Sequence, residues 1–339
     1  MSEQAPQSTW LIAAPQKLTF EEPVTELRVR IVGGTVNVVA AEEGPARLEV
    51  TEVAGPPLYV VQEGGALTVS YEDLPWNGSQ GVKKWLESKP WKAWAGSGSG
   101  RKAWERDVTL TLAVPAATAV RLAAVGATAF VSGIGGPAEV SLVSGDATLS
   151  GLSGRVRANT VSGDVEAQSV TGDLGFHSVS GGLTVVDGAG VSVRADSVSG
   201  DMLIDLGADP DAGAPGGDTG GDTDREPDPG TPRAVDIHLN SVSGQVVIRL
   251  PHPADARVEA NTASGGVSNA FEDLRVSGQF GAKRITGTLG AGTGTLRAST
   301  VSGGIALLRR PAPDAPAPDA GAPRDAAPEA SLPLDKKVL

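Results

Sequence analysis

Residues 156–182 read VRANTVSGD, VEAQSVTGD and LGFHSVSGG, three consecutive nine-residue units that each close on Val-Ser/Thr-Gly. The unit returns at 193–201 (VRADSVSGD), 237–245 (IHLNSVSGQ), 258–266 (VEANTASGG) and 296–304 (LRASTVSGG). A short fixed period of this kind marks a stacked β architecture. The first position is apolar (Val156, Val165, Leu174), and so is the third, which is often small (Ala158, Ala167, Phe176). The second and fourth are polar. This is the period-two alternation of a half-buried strand. The sixth position is apolar again, one step out of phase, which predicts a bend or bulge near the fifth that turns the sixth inward. Glycine at the eighth predicts a tight corner that a residue with a Cβ would resist.

A nine-residue unit cannot bury its own inner face, so neighbouring units must stack. The expected fold is all-β: a parallel β-solenoid of about nine to eleven units, with two or so units per coil at about 4.8 Å spacing. The alternative is an antiparallel meander that reverses at each Ser-Gly corner. Identical in-register units favour the solenoid, and the Asn-Gly and Asp-Gly turns that hairpins prefer are scarce.

The pattern changes away from these units. Residues 1–9 read as a loose leader. Residues 10–130 form an irregular N-terminal β region. In it Leu27–Ile31 and Thr35–Ala40 read as a hairpin about Gly33-Gly34, and further strands are expected at 47–53, 58–62, 66–71 and 107–114. A Trp/Lys-rich insertion at 75–106 interrupts this region. Repeats occupy 131–308. They are broken by an acidic Gly/Pro/Asp-rich stretch at 207–233, expected to be a disordered loop, and followed by a Pro/Ala-rich tail at 309–339.

Composition narrows the function classes. The chain has 339 residues, 4% aromatics, 45 glycines and a net charge of −12. Scarce aromatics suit a thin core. The negative charge argues against general nucleic-acid binding, which needs a basic surface. There is no cysteine, so disulfides and thiolate metal sites are excluded. The N-terminus lacks a basic n-region, and no apolar run reaches the length of a membrane span. The expected compartment is the cytoplasm, with peripheral attachment to a membrane left open.

Three sets of residues are candidates for function. Asp146, Asp164, Asp173 and Asp201 follow corner glycines and could hold calcium. The set is irregular, however, and turn carboxylates ordinarily bind backbone amides. The insertion carries Trp85, Trp91 and Trp94 among Lys84, Lys89 and Lys92. Tryptophans with cations suit a membrane interface or a protein groove; the blander reading is a cap over the first sheet. The third set is a polar array held outward by the repeat: Asn159, Gln168, His177, Asp196 and Asn261. No catalytic set stands out. The three histidines have no ligand spacing, no G-x-S-x-G elbow occurs, and the phosphate-binding G-x-x-x-x-G-K-[ST] is absent. Gly290–Gly294 (GAGTG) lacks the helix a phosphate loop needs. Neither a cofactor nor a metal is expected.

Over roughly residues 10–310 the chain resembles the bacterial β-strand-repeat family called "putative adhesin", a domain of unknown function, in its actinobacterial, streptomycete form. The carriers are Lys17-Leu18-Thr19-Phe20, Leu27 to Gly34 (LRVRIVGG), Tyr71 to Trp76 (YEDLPW), the Val-Ser-Gly-Asp series, and Ala263-Ser264-Gly265 followed by Ser268 to Asp273 (SNAFED). The resemblance implies a β-solenoid-like fold and brings no catalytic residues. Some relatives are linked to envelope stress. The expected role is a non-enzymatic interaction scaffold with a protein partner or a membrane surface. The alternatives are a membrane-surface sensor using the Trp/Lys segment and a glycan-acting enzyme on a β-helix face.

Overall fold

The computed structural model describes residues 7–72, 106–189, 192–207 and 233–310. These form β-strands and no helix. The N-terminal strands are β1 (Gln7–Ile12), β2 (Gln16–Phe20), β3 (Glu26–Ala41), β4 (Ala46–Ala54), β5 (Leu58–Glu63), β6 (Ala66–Ser70), β7 (Asp107–Pro115) and β8 (Ala119–Ser132). Gln7 to Thr9, expected in a loose leader, instead begin β1, which pairs antiparallel with β5. The repeat supplies β9 (Ala138–Leu142), β10 (Ala147–Ser150), β11 (Val156–Thr160), β12 (Val165–Gln168), β13 (Leu174–Ser178), β14 (Leu183–Gly188), β15 (Ser192–Ser197) and β16 (Met202–Leu206). After them come β17 (Arg233–Ala234), β18 (Asp236–Ser241), β19 (Val246–Leu250), β20 (Ala254–Thr262), β21 (Val267–Asn269), β22 (Leu274–Gln279), β23 (Ala282–Leu289), β24 (Thr295–Thr300) and β25 (Ile305–Arg309).

Each repeat unit pairs in parallel with the next unit but one. Val156 lies opposite Leu174, and Leu174 opposite Val193. Val165 lies opposite Leu183, and Leu183 opposite Met202. Successive units therefore alternate between two parallel ladders. The nine-residue sequence period conceals an offset of 18 residues from Val156 to Leu174. This is the register that two units per coil require, and it excludes a meander for the units of 138–250; later in the repeat region β20, β23 and β22 pair antiparallel.

The first ladder runs β8 (front half), β9, β11, β13, β15, β18. The second runs β8 (back half), β10, β12, β14, β16, β19. Their inward residues are small and apolar. Val156, Ala158, Val165, Ala167, Val193 and Ala195 are all buried, which is why so few aromatics suffice.

The strand β3 ties the ladders together at the N-terminal end. It was expected to be two strands of a hairpin but is continuous, and it pairs in parallel with both halves of β8. Gly34 explains this. Its φ of +102° bends the chain from one ladder into the other without reversing it, and a Cβ there would lie 2.0 Å from the Val108 carbonyl oxygen. At the C-terminal end the order departs from the sequence. β24 lies between β18 and β20, and β25 between β19 and β21. The chain leaves a gap one rung wide, builds β20 and β21 beyond it, turns through the antiparallel hairpin β22–β23, and fills the gap last.

The corners explain the Val-Ser-Gly motif, and they are of two kinds. After first-ladder strands, position five stays inward (Thr160, Ser197, Ser241, Thr300). Its hydroxyl accepts the amide of the corner glycine, as from Gly163 to Thr160 at 2.9 Å and Gly200 to Ser197 at 2.9 Å. Alternation is unbroken, so position six points out: Val179, Val198, Val242 and Val301 are exposed. This corrects the expectation that every sixth residue faces inward. After second-ladder strands, position five takes a left-handed conformation at Gly133, Gly151, Ser169 and Asp187. At the first three that flips the phase, and Ile134, Leu152 and Val170 are buried; after Asp187 a register shift places Gly188 before the buried Ala189. The predicted bend exists in this second kind of corner alone.

Glycine at position eight is also explained differently. Gly163, Gly181, Gly200 and Gly244 do not have positive φ. A Cβ on Gly163 would lie 1.8 Å from the Gly145 carbonyl oxygen, and one on Gly200 would lie 1.9 Å from that of Gly181. Close stacking of one corner on the next demands glycine at these four positions; Gly145, in the first such corner, combines close stacking with a left-handed φ of 100°.

Candidate functional site

Trp85, Trp91, Trp94, Lys84, Lys89 and Lys92 lie outside the described residues, as does most of 207–233. The residues flanking the Trp/Lys segment are described. Tyr71 is buried at the end of β6, and the Arg106 guanidinium lies 5.0 Å from its ring centroid. The Gly33 amide donates to the Arg106 carbonyl at 3.0 Å. The segment is thus attached where β3 bends from one ladder into the other.

The corner aspartates bind backbone, as turn chemistry anticipates. Asp146 accepts the Asp164 amide at 3.0 Å, Asp164 accepts the Gly182 amide at 2.7 Å, and Asp201 accepts the Gln245 amide at 2.7 Å. Each carboxylate clips its corner to the next rung. Asp173 faces Arg155 at 3.8 Å instead. The corner serines form a parallel series: Ser162 donates to the Val143 carbonyl, Ser180 to Val161 and Ser243 to Val198. Among the described residues no three of His, Asp and Glu come together as a metal site.

The expected polar array is split by the eighteen-residue offset. Asn159, His177, Asp196 and Asn261 share one outward row of the first ladder, and Gln168 lies on the second. That row also includes Ser141, Asn240 and Ser299, which the array omitted. Their signal was present in the sequence, at position four of every other unit. Neighbours in the row bond to one another. Asn159 donates to Ser141 at 3.3 Å, His177 meets Asp196 at 3.2 Å, and Asn240 donates to Asp196 at 2.9 Å. A second row beside it carries Arg121, Glu139, Arg157, Gly175, Arg194, His238, Arg297 and Glu259. Arg194 pairs with Asp236 at 3.3 Å. The corresponding row of the second ladder is mixed: Phe130, Thr148, Glu166, Thr184, Leu203 and Val247.

The glycine-rich GAGTG segment has a local purpose. Asp255 accepts the Thr293 amide at 3.0 Å, and also the Gly292 amide and the Thr293 hydroxyl. The Thr293 hydroxyl, then its amide and those of Gly292 and Ala291, hold the Asp255 carboxyl below its ordinary range against an opposing effect of desolvation. The loop cradles an anion, and that anion belongs to the chain itself. It pins the point where β24 enters the gap between β18 and β20.

Residues 231–308 match the family model described as Toastrack DUF4097. This is less than half of the chain, and it spans the gap-filling end of the two ladders. None of the curated proteins matches the chain. Among solved structures, the chain is similar to a "Putative lipid binding protein" from Parabacteroides distasonis ATCC 8503 at 11% identity. That likeness covers 87% of this chain and 97% of the other, with a TM-score of 0.38. A "putative cell adhesion protein" from Clostridium sporogenes ATCC 15579 is similar at 9% identity, over 87% of this chain and 100% of the other, with a TM-score of 0.22.

Proposed function

We propose that the protein is a non-enzymatic interaction scaffold. In this reading the two ladders form a β-solenoid with two units per coil, and the first ladder presents its outward rows to a partner. The observation that carries the reading is the difference between the two outer faces. The first ladder holds Ser141, Asn159, His177, Asp196, Asn240, Ser299 and Asn261 in one polar row, bonded from Ser141 to Asn159 and from His177 through Asp196 to Asn240, beside a row that carries four arginines. The second has no such row. Side chains held by their neighbours have little freedom left to lose on binding. Resemblance to the actinobacterial form of the "putative adhesin" family agrees with an interaction role.

The test is to compare partners retained by the full chain and by the variant Arg157→Glu, His177→Ala, Arg297→Glu. All three side chains are outward, so the fold should survive. Loss of specific partners with unchanged melting temperature supports the reading. Identical partners on both proteins refute it. Turnover of a glycan by the full chain in a hydrolase screen would favour an enzyme instead. The Trp/Lys sensor reading predicts vesicle binding that is lost when Trp85, Trp91 and Trp94 become Ala.

A further inference from the structure

The first ladder outruns the second at the C-terminal end. Beyond β20 it continues through β23 and β22, whereas the second ladder stops at β21. The Asn269 side chain closes that stop, accepting the Phe271 amide and donating to the Phe271 and Leu274 carbonyls. The hairpin β22–β23 therefore overhangs the core. Ile285 is still covered, but its cross-strand neighbour Val276 is 52% exposed and Phe280 at the tip is 105% exposed. Phe280 also holds a φ of +52°, a conformation that disfavours a bulky side chain and that glycine would adopt without strain. An aromatic ring there is a cost to the fold, with no intramolecular packing to offset it.

The tip continues an apolar edge. Val179, Val198, Val242 and Val301 stack outward at successive first-ladder corners, each about half exposed. Ala263 follows on the last rung, and a Cβ on Gly281 would come within 3.9 Å of the Ala263 carbonyl oxygen. Charge changes along the same edge. The position after the corner glycine is Asp146, Asp164, Gly182 and Asp201, and then Gln245, Gly304 and Gly266 over the last three rungs. Residues 274–289 (LRVSGQFGAKRITGTL) carry Arg275, Lys283 and Arg284 and no acid; Arg284 is paired with Glu259 of β20, which leaves Lys283 as the cation beside the tip.

We propose that this overhanging tip inserts Phe280 into an anionic lipid surface, with Lys283, which lies opposite Gly278 beside the tip, against the headgroups. A projecting, cationic, singly aromatic tip at one end of the ladders suits a flat apolar layer beneath anionic charge. The proposal deepens the interaction-scaffold reading by naming one partner class. It requires neither the tryptophan segment nor the polar rows.

The experiment is co-sedimentation of the full chain with vesicles of phosphatidylcholine alone and with added phosphatidylglycerol. Binding should need phosphatidylglycerol and weaken with salt. Phe280→Ala should lower the partition coefficient about tenfold or more, and Lys283→Gln about fivefold. Phe280→Gly should lose binding in the same way while melting no lower than wild type, which separates insertion from folding. Because the chain has no cysteine, Phe280→Cys carrying an environment-sensitive dye reports burial of the tip directly. Vesicle binding unchanged in Phe280→Ala overturns the proposal. So does binding lost only when Trp85, Trp91 and Trp94 are replaced, which would favour the sensor reading. Concentration-dependent self-association that Phe280→Ala abolishes, without vesicle binding, also overturns it and makes the tip a protein contact. Unchanged partners in the Arg157, His177 and Arg297 variant would refute the polar rows and leave the tip untouched.

Discussion

The two kinds of corner carry nearly the same residues and do opposite things with them. Val170-Thr171-Gly172 and Val179-Ser180-Gly181 are one unit apart, yet Val170 is 1% exposed and Val179 is 51% exposed. The difference arises one residue earlier. Ser169 is left-handed, and Ser178 is extended with its hydroxyl on the Gly181 amide at 2.7 Å. A single dihedral decides whether the next side chain enters the core or faces the surroundings. Through that choice the second-ladder corners close the core, and the first-ladder corners leave an apolar edge exposed.

The largest expected effect would break both corners alike. Gly163→Ala and Gly172→Ala each drive a Cβ into backbone of the preceding rung, at 1.8 Å and 1.9 Å. Each should cost about 3 kcal/mol in chemical denaturation. A mild effect at either site would mean that the rungs are less tightly stacked than described. The next pair separates the corners. Val170→Ala should cost about 2 kcal/mol, whereas Val179→Ala should stay within about 0.5 kcal/mol of wild type. Equal losses would erase the distinction. Thr160→Val keeps the shape of the inward side chain but strands the buried Gly163 amide, at about 1–2 kcal/mol.

The Asp255 crossing is a control outside both corner types. Its folded-state pKa is lowered, so its stabilisation is present above the ordinary aspartate range and is lost as pH falls through the folded value. Asp255→Asn should melt a few degrees below wild type at neutral pH. The gap should close as pH drops below the normal Asp range, and a constant gap in thermal melts from pH 7 to 3 would refute the role. The smallest effect is a gain. Ser169→Gly relieves a left-handed serine and should stabilise by about 0.5–1 kcal/mol, whereas Ser178→Gly should destabilise, because Ser178 is extended and binds the Gly181 amide.

Much of this could be read in advance. Alternation at positions one to four placed the strands, and the in-register units favoured parallel stacking over a meander. The bend at position five was anticipated too, but assigned to every unit. Gly133 and Gly151 at that position, against Thr160 and Thr300, were the available clue that units alternate in kind. The hairpin expected about Gly33-Gly34 failed because glycine permits a bend as readily as a reversal, and only the partners of β3 select between them. The polar array was found with one member misplaced, since Gln168 sits at the same position as Asn159 in a unit bound for the other ladder.

The sequence by itself determined the strand, the polarity of its faces and the nine-residue unit, because these follow from local alternation and the volume of side chains. The tertiary structure alone decided which unit pairs with which, that β24 and β25 fill a gap left earlier, and that the first ladder overhangs the second. Those choices rest on hydrogen bonds between residues far apart in the chain, where several registers satisfy the same local pattern. The outward valines, the split polar array and the exposed Phe280 became visible only once that register was set.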